Sequence, residues 1–161
     1  MGQRKKDRGA RHGAATPAVA ALEAAGVPYR LHTFDVALDA GGERFGVQVA
    51  RALSVPADRL FKTLMVADPD GALAACVVPV SGQLDLRAAA AVLGVKRLAL
   101  ADLAVVERRT GYVRGGVSPL GQRRPHPVVL DSSALDAELM YVSGGQRGLD
   151  AVSYTHLTLP T

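Results

Sequence analysis

The sequence contains no tryptophan, a single cysteine and only 4% aromatic residues. One cysteine, Cys76, excludes an internal disulfide framework and any zinc site built from several cysteines. No run of about 18 apolar residues occurs, which excludes a transmembrane helix, and the N-terminus lacks the apolar segment of a signal peptide. We therefore expect one cytoplasmic domain with an aliphatic core, since 161 residues suffice for one core and are few for two.

The net charge of +4 at pH 7 is concentrated at the N-terminus. Residues 1–15 carry five basic side chains against one aspartate, a net +4, so residues 16–161 have a net charge of zero. Because this segment also has almost no apolar content, it is predicted to be a disordered basic tail. Two functions of this tail remain open: it attracts RNA nonspecifically, or it only keeps the protein in solution.

Helices and strands are predicted to alternate along the rest of the chain. Helices are expected over about 17–25 and 45–53, and after the capping residues Asp85 and Asp102. The clearest sheet signal is a hairpin, in which a DPDG turn joins LFKTLMVAD to ALAACVVPV. Further strands are expected at 29–34, 96–101, 126–131 and 138–143. A hairpin in the middle favours an α+β fold with a mixed, largely antiparallel sheet flanked by helices.

Two glycine-rich segments interrupt this pattern. Residues 110–124, TGYVRGGVSPLGQRR, contain four glycines and one proline, and residues 143–150, SGGQRGLD, follow a strand-like LMYV. Glycine takes turns that other residues resist, so both segments are predicted to be loops that present backbone N–H and C=O groups. We predict that the two loops and Lys62 form one ligand site.

Lys62 and Thr63 are a polar pair at the start of the otherwise apolar FKTLMV strand. Burying an unpaired lysine is costly, so its ammonium must reach a strand end, an acidic partner or an anionic ligand. Two interpretations are open. Lys62 either extends into solvent or meets a phosphate or a polarised carbonyl, with Thr63 beside it as a hydroxyl donor.

Gly115 and Gly116 allow a ligand to approach the backbone closely. Their amides could hold an anionic oxygen, their carbonyls could accept from a hydroxyl or an amine, or the pair could serve only as a turn. The segment has the spacing of neither a phosphate-binding P-loop nor a dinucleotide-binding fingerprint.

Ser143, with Asp150 seven residues later, raises the question of a nucleophilic serine. No histidine is placed by the sequence to activate Ser143, so hydrogen-bonding or turn roles are favoured over a Ser-His-Asp triad. The scattered histidines show no metal-ligand spacing, and Cys76 is interpreted as a core residue. We predict neither a metal nor a cofactor.

Six segments, taken in order, resemble the YbaK/EbsC family of free-standing Cys-tRNA(Pro) deacylases, which are related to the editing domain of prolyl-tRNA synthetase. They are TPAVAALEAAGVPY, HTF, FKTLMV, PVSGQLDLRAAAAVLG, TGYVRGGVSPLGQRR and YVSGGQRGLD. The resemblance implies the fold of that editing domain and an enzyme that removes cysteine from mischarged proline tRNA. It also implies substrate-assisted chemistry, in which the cysteine thiol attacks its own ester or the ribose 2′-hydroxyl helps a water to attack.

The resemblance also implies site residues. Lys62, Gly115 and Ser143 are the predicted catalytic residues, with Lys62 at the terminal adenosine and Gly115 at the ester. The predicted substrate-binding residues are Phe34, Thr63, Gly116, Ser118, Gly144 and Asp150. Phe34 departs from the family, which often has tyrosine there, so a hydroxyl is missing that could affect substrate choice or rate.

Residues 152–161, VSYTHLTLPT, show no helical period and resemble the translated read-through of a sequencing-library adapter. The expected organisation is therefore an editing domain over 16–151 that lacks its natural C-terminus, followed by a non-native tail. The resemblance implies aminoacyl-tRNA as the partner that is cleaved. Prolyl-tRNA synthetase is expected to deliver it, because few aromatic residues and the zero net charge of residues 16–161 disfavour tight independent tRNA binding. The alternatives are a deacylase for alanyl or seryl groups, or a non-catalytic module that binds tRNA or the synthetase.

Overall fold

A computed structural model describes residues 15–35 and 44–154 of the chain. Four α-helices lie in these ranges: α1 (Pro17–Ala24), α2 (Arg44–Ala52), α3 (Leu86–Leu93) and α4 (Leu103–Thr110). The side chain of Asp85 accepts from the amides of Arg87 and Ala88, and Asp102 caps α4 in the same way. All four predicted helices are confirmed. Three of them, α1, α3 and α4, begin at a capping side chain, which is a local feature that can be recognised in the sequence.

Seven strands form two sheets. They are β1 (Tyr29–Thr33), β2 (Phe61–Ala67), β3 (Leu73–Pro79), β4 (Ala99–Leu100), β5 (Val128–Leu130), β6 (Leu139–Gln146) and β7 (Leu149–Tyr154). The first sheet has the order β1-β7-β6 and the second β4-β2-β3-β5. All pairings are antiparallel except that of β3 with β5. The predicted α+β fold with a mixed, largely antiparallel sheet is confirmed.

The two sheets meet where β2 begins. Leu60 forms a parallel bridge with Tyr141 of β6, and both side chains belong to a cluster that includes residues of α2. On the opposite face, Phe61 and Val77 of the second sheet pack against Val142 of the first. The core is largely aliphatic, as expected. Helix α3 covers a separate cluster on the second sheet.

The prediction that residues 143–150 form a loop is wrong. They include the ends of β6 and β7, joined by a tight turn with a bulge between Ser143 and Gln146. Gly145 and Gly148 have φ of 95° and 77°, which glycine adopts without strain. Glycine marks a turn equally well in a hairpin and in an open loop, so its spacing alone could not separate the two.

Strand β7 extends past the predicted end of the domain at residue 151. Val152 and Ser153 are buried, and the Ser153 hydroxyl donates to the carbonyl of Pro28. The expected non-native origin of residues 152–161 stays a prediction, but residues 152–154 are part of the sheet. Residues 155–161, the basic tail at 1–14 and the segment 36–43 lie outside the described residues.

Candidate functional site

Three polar residues form a row across the first sheet. Asp150 of β7 pairs with His32 of β1 on one side and with Ser143 of β6 on the other. Directly paired residues in antiparallel strands point to the same face, so the three side chains share one face of the sheet.

Lys62 extends this row into the second sheet. The parallel bridge between Leu60 and Tyr141 puts their side chains on one face, and alternation puts Lys62 and Ser143, two residues further along each strand, on that face too. Beyond the bridge β2 pairs with β3, where Lys62 lies opposite Val78. Lys62 therefore lies where the two sheets part, on the same face as Ser143 and Asp150.

Asp150 is the most unusual group in the row. Its side chain is buried, with 7% of the residue exposed, and its carboxylate has no hydrogen-bond partner among the residues that the structure describes. Burial raises the pKa of Asp150 from 3.8 to about 7, because the charged form loses its hydration. At neutral pH this carboxyl can donate as an acid, or ionise when a cation arrives.

The row does not have the arrangement of a catalytic triad. Asp150 lies between Ser143 and His32, and two strand spacings of about 4.8 Å separate the serine from the histidine. A triad needs the histidine between the other two residues. The Ser143 hydroxyl instead accepts from the Gly145 amide at 3.2 Å, which fits the predicted hydrogen-bonding or turn role.

The glycine-rich loop, residues 111–122, follows α4 and lies against the β6–β7 turn. Gly116 is buried, and a Cβ there would lie 2.8 Å from the carbonyl carbon of Gln146. Arg147 of the turn donates from Nε to the carbonyl of Arg114 at 2.7 Å. Tyr112 is buried and donates to the carbonyl of Leu120 at 2.6 Å. The loop is therefore bonded to the β6–β7 turn, and a second hydrogen bond joins two parts of the loop to each other.

The two neighbouring glycines have different roles in this loop. The Gly116 amide donates to the carbonyl of Val113 at 2.9 Å, so it is engaged in a turn and unavailable to a ligand. Gly115 is exposed with φ of 82°, and within the described residues its amide has no hydrogen-bond acceptor. Of the two amides, only that of Gly115 is therefore without an acceptor in the described part of the chain.

Three other predicted site residues, Thr63, Ser118 and Gly144, contact the protein interior or the neighbouring strand. Thr63 points to the face opposite Lys62, and its hydroxyl is buried and unpartnered among the described residues. Ser118 is fully buried and accepts from the amide of Leu120. A Cβ at Gly144 would lie 2.7 Å from Cγ of Leu149. Adjacent residues of a strand alternate between faces, so Thr63 is not the predicted hydroxyl donor beside Lys62.

Phe34 lies next to the hairpin turn. Its amide donates to the carbonyl of Gly148 at 3.0 Å, and its ring packs against the cluster around Leu60 and Val80. His32, which the sequence did not single out, lies beside Asp150, with its ring centroid 5.9 Å from that of Tyr141. The register of β1 on β7 creates this pairing, and no local sequence signal encodes it.

The described residues offer no evident metal site or membrane span. No three histidine, cysteine, aspartate or glutamate side chains in those ranges converge as metal ligands would. Across the same ranges, no helix has the length and apolar character needed to cross a bilayer.

Solved structures share this fold. It superposes with a TM-score of 0.74 on a crystal structure titled as "a putative trans-editing enzyme for prolyl tRNA synthetase", at 23% identity over 90% of this chain and 91% of that one. A solved hypothetical protein is similar, with a TM-score of 0.75 and 24% identity over 87% of this chain and 89% of that one.

Sequence comparison identifies the family. The model of the aminoacyl-tRNA editing domain matches residues 46–150. The chain is 32% identical over 134 residues to the Enterococcus faecalis protein named "Putative Cys-tRNA(Pro)/Cys-tRNA(Cys) deacylase EbsC". The aligned residues are 83% of this chain and 80% of that protein. The chain belongs to the aminoacyl-tRNA editing domain family, and the predicted enzyme class, aminoacyl-tRNA deacylase, is confirmed at this level.

The contact between Gly116 and the hairpin can be tested by adding one methyl group. Gly116→Ala should lower the free energy of unfolding by about 1–3 kcal/mol, because the new Cβ meets the backbone of Gln146. Gly82→Ala is the matched control, since its Cβ would approach no closer than 3.8 Å to the carbonyl oxygen of Pro79. Urea unfolding followed by circular dichroism measures both variants, and equal effects would contradict the packing described.

Asp150 should make stability depend on pH. Below about pH 4 its carboxyl is protonated in the folded and unfolded chains alike. Between pH 4 and 7 only the unfolded chain loses the proton, so stability falls as pH rises and stays lower above pH 7. Asp150→Asn should remove this fall, and its stability relative to wild type should rise by up to about 4 kcal/mol between pH 4 and 8.

Asp58→Asn, at an exposed aspartate, is the control for that experiment. Urea unfolding across the pH series gives both differences from wild type. A constant difference between Asp150→Asn and wild type at every pH would show that the Asp150 carboxyl ionises normally in the fold.

Proposed function

We propose that this protein is a trans-acting editing enzyme that releases cysteine from Cys-tRNA(Pro). Family membership and the similarity to EbsC support the reaction class and the substrate. The observation that carries the proposal is that Lys62 and Asp150 lie on one face where the two sheets part, while the loop that carries Gly115 lies against the β6–β7 turn that leads to Asp150. These three residues offer a cation, a buried carboxyl and a backbone amide without an acceptor in the described ranges, which match a phosphate, an ammonium and an ester oxygen.

The substrate itself supplies the nucleophile in this proposal. The cysteine thiol attacks its own ester carbonyl, a bond forms between sulfur and the carbonyl carbon, and the bond to the ribose oxygen breaks. The thiol proton passes to the departing ribose oxygen, leaving a thiolactone and uncharged tRNA. A water that attacks with help from the ribose 2′-hydroxyl would give free cysteine instead. Both routes agree with the lack of a triad arrangement in the described row.

The protein contributes position and charge. Gly115 donates its amide to the ester oxygen, where negative charge develops as the carbonyl is attacked. Lys62 binds the phosphate or ribose region of the terminal adenosine. Asp150 binds the α-ammonium group of the aminoacyl moiety, because a cation next to a buried carboxyl offsets the loss of hydration and favours ionisation. Holding the thiol near its own ester accounts for acceleration without a protein nucleophile.

Ser143 has a positioning role in this scheme. Its hydroxyl holds the Gly145 amide in the bulged end of β6, next to Asp150. Phe34 contributes an apolar ring and the backbone bond to Gly148 that keeps the β6–β7 turn in place.

The proposal also concerns which amino acid is released and which partners the protein binds. A deacylase for alanyl or seryl groups is the alternative enzyme, and a non-catalytic tRNA- or synthetase-binding module is the alternative outside enzymology. Association with prolyl-tRNA synthetase and residence in the cytoplasm stay predictions.

The proposal predicts that Lys62→Ala lowers kcat/KM for Cys-tRNA(Pro) at least about 100-fold, because the cation that holds the terminal adenosine is lost. Lys96→Ala, at an exposed lysine outside the row, should leave kcat/KM unchanged. Release of the amino acid or thiolactone from Cys-, Ala- and Ser-tRNA(Pro) measures activity and preference together. Equal activity of wild type and Lys62→Ala would refute the assigned site, and tRNA binding without any deacylation would favour the non-catalytic module.

A further inference from the structure

Four arginines gather at the base of the glycine-rich loop. The amide of Arg123 donates to the carbonyl of Thr110 at 2.9 Å, and that of Arg124 donates to the carbonyl of Arg109 at 3.2 Å. These bonds bring the two ends of the loop together, so residues distant in sequence become neighbours. Together with Arg108 they make the surface that we call the arginine patch, formed by Arg108, Arg109, Arg123 and Arg124.

Two side chains of the patch, those of Arg109 and Arg123, are held by backbone carbonyls rather than by carboxylates. Arg109 donates to the carbonyl of Gly71 at 3.0 Å, and Arg123 donates to that of Arg108 at 3.2 Å. Asp68, in the same turn as Gly71, uses its carboxylate to accept from the amides of Asp70 and Ala72.

The patch is exposed and its charges are not neutralised. Arg108, Arg123 and Arg124 are exposed, and no guanidinium of the patch forms an ion pair with a carboxylate of the described residues. Arg109 and Arg124 both act on the nearby His126 ring, whose pKa is lowered by burial and then by these two charges. Both guanidinium groups therefore lie near His126.

Residues 16–161 have a net charge of zero, but their positive and negative charges are unevenly distributed. Residues 107–126 contain five arginines and one glutamate, a net +4, so the rest of residues 16–161 has a net charge of −4. Clustered positive charges repel one another, and a bound anion offsets this repulsion. Guanidinium groups bind phosphate through paired N–H donors, which makes a multiply charged phosphate chain the natural partner.

We infer that the arginine patch binds backbone phosphates of the substrate tRNA while its 3′ end occupies the site near Gly115. This inference rests on the proposed function. The patch is at the base of the same loop that carries Gly115, so an RNA whose 3′ end reaches Gly115 must lie over neighbouring surface. The scarcity of aromatic residues favours recognition of the RNA backbone over stacking on its bases. The expectation of weak tRNA binding from a neutral body took no account of this local charge.

RNA affinity tests the inference directly. The double variant Arg108→Gln/Arg124→Gln removes two exposed charges whose side chains make no hydrogen bond within the described ranges. Its affinity for uncharged tRNA(Pro), measured by fluorescence anisotropy at about 100 mM salt, should fall roughly 10-fold. The slope of log affinity against log salt should become shallower by about 2, as two phosphate contacts are lost. Arg87→Gln/Arg97→Gln, at exposed arginines on and after α3, is the control and should change neither quantity.

A second comparison separates this inference from the proposed function. The double variant should lose kcat/KM on full-length Cys-tRNA(Pro) about 10-fold, but keep it on cysteinyl-adenosine, which has no backbone phosphates. If wild type cleaves neither substrate, the proposed function fails while the RNA affinities still decide the role of the patch. Unchanged RNA affinity in the double variant would overturn the inference. An acidic protein surface would then be the favoured partner of the patch. Equal losses on both substrates would overturn it too, since the change would then lie in the site itself.

Discussion

The pairing of β7 with β1 on one side and with β6 on the other fixes the positions of the polar groups in the site. Asp150 is at the middle of this pairing, so its neighbours across the strands are His32 and Ser143. The bridge between Leu60 and Tyr141 then joins β2 to the same face and brings Lys62 into line. A one-residue slip of β7 would turn Asp150 to the opposite face of the sheet, away from His32 and Ser143, so the register of the sheet decides whether the row forms.

The buried carboxyl of Asp150 links this geometry to function. Burial raises its pKa to about 7, and within the described residues no side chain pairs with it. Such a group costs stability when it ionises, and a cationic ligand can recover that cost. The glycine-rich loop lies against the β6–β7 turn; its own turn engages the Gly116 amide, and the Gly115 amide has no acceptor among the described residues.

Local features could be predicted from the sequence, and long-range register could not. The caps Asp85 and Asp102 and the β2–β3 hairpin were predicted correctly because each depends on residues close together in the chain. Strand β7 was missed because it is buried on both faces and shows no alternation. The sequence pointed to Lys62, Ser143 and Asp150 by their residue types and by resemblance, whereas the place of His32 beside Asp150 follows only from the pairing of β1 with β7. Nor could it tell that Gly116 and Ser118 face neighbouring protein rather than a ligand.

The central claim is that the Asp150 carboxyl receives the ammonium group of the aminoacyl moiety. Carbon-13 NMR of labelled aspartate carboxyls, assigned with Asp150→Asn, gives the pKa of Asp150 with and without a cysteinyl-adenosine amide that cannot be cleaved as an ester. The account predicts a pKa near 7 in the free protein that falls clearly when the analogue binds. An Asp150 pKa that stays the same when the analogue saturates the protein would contradict it.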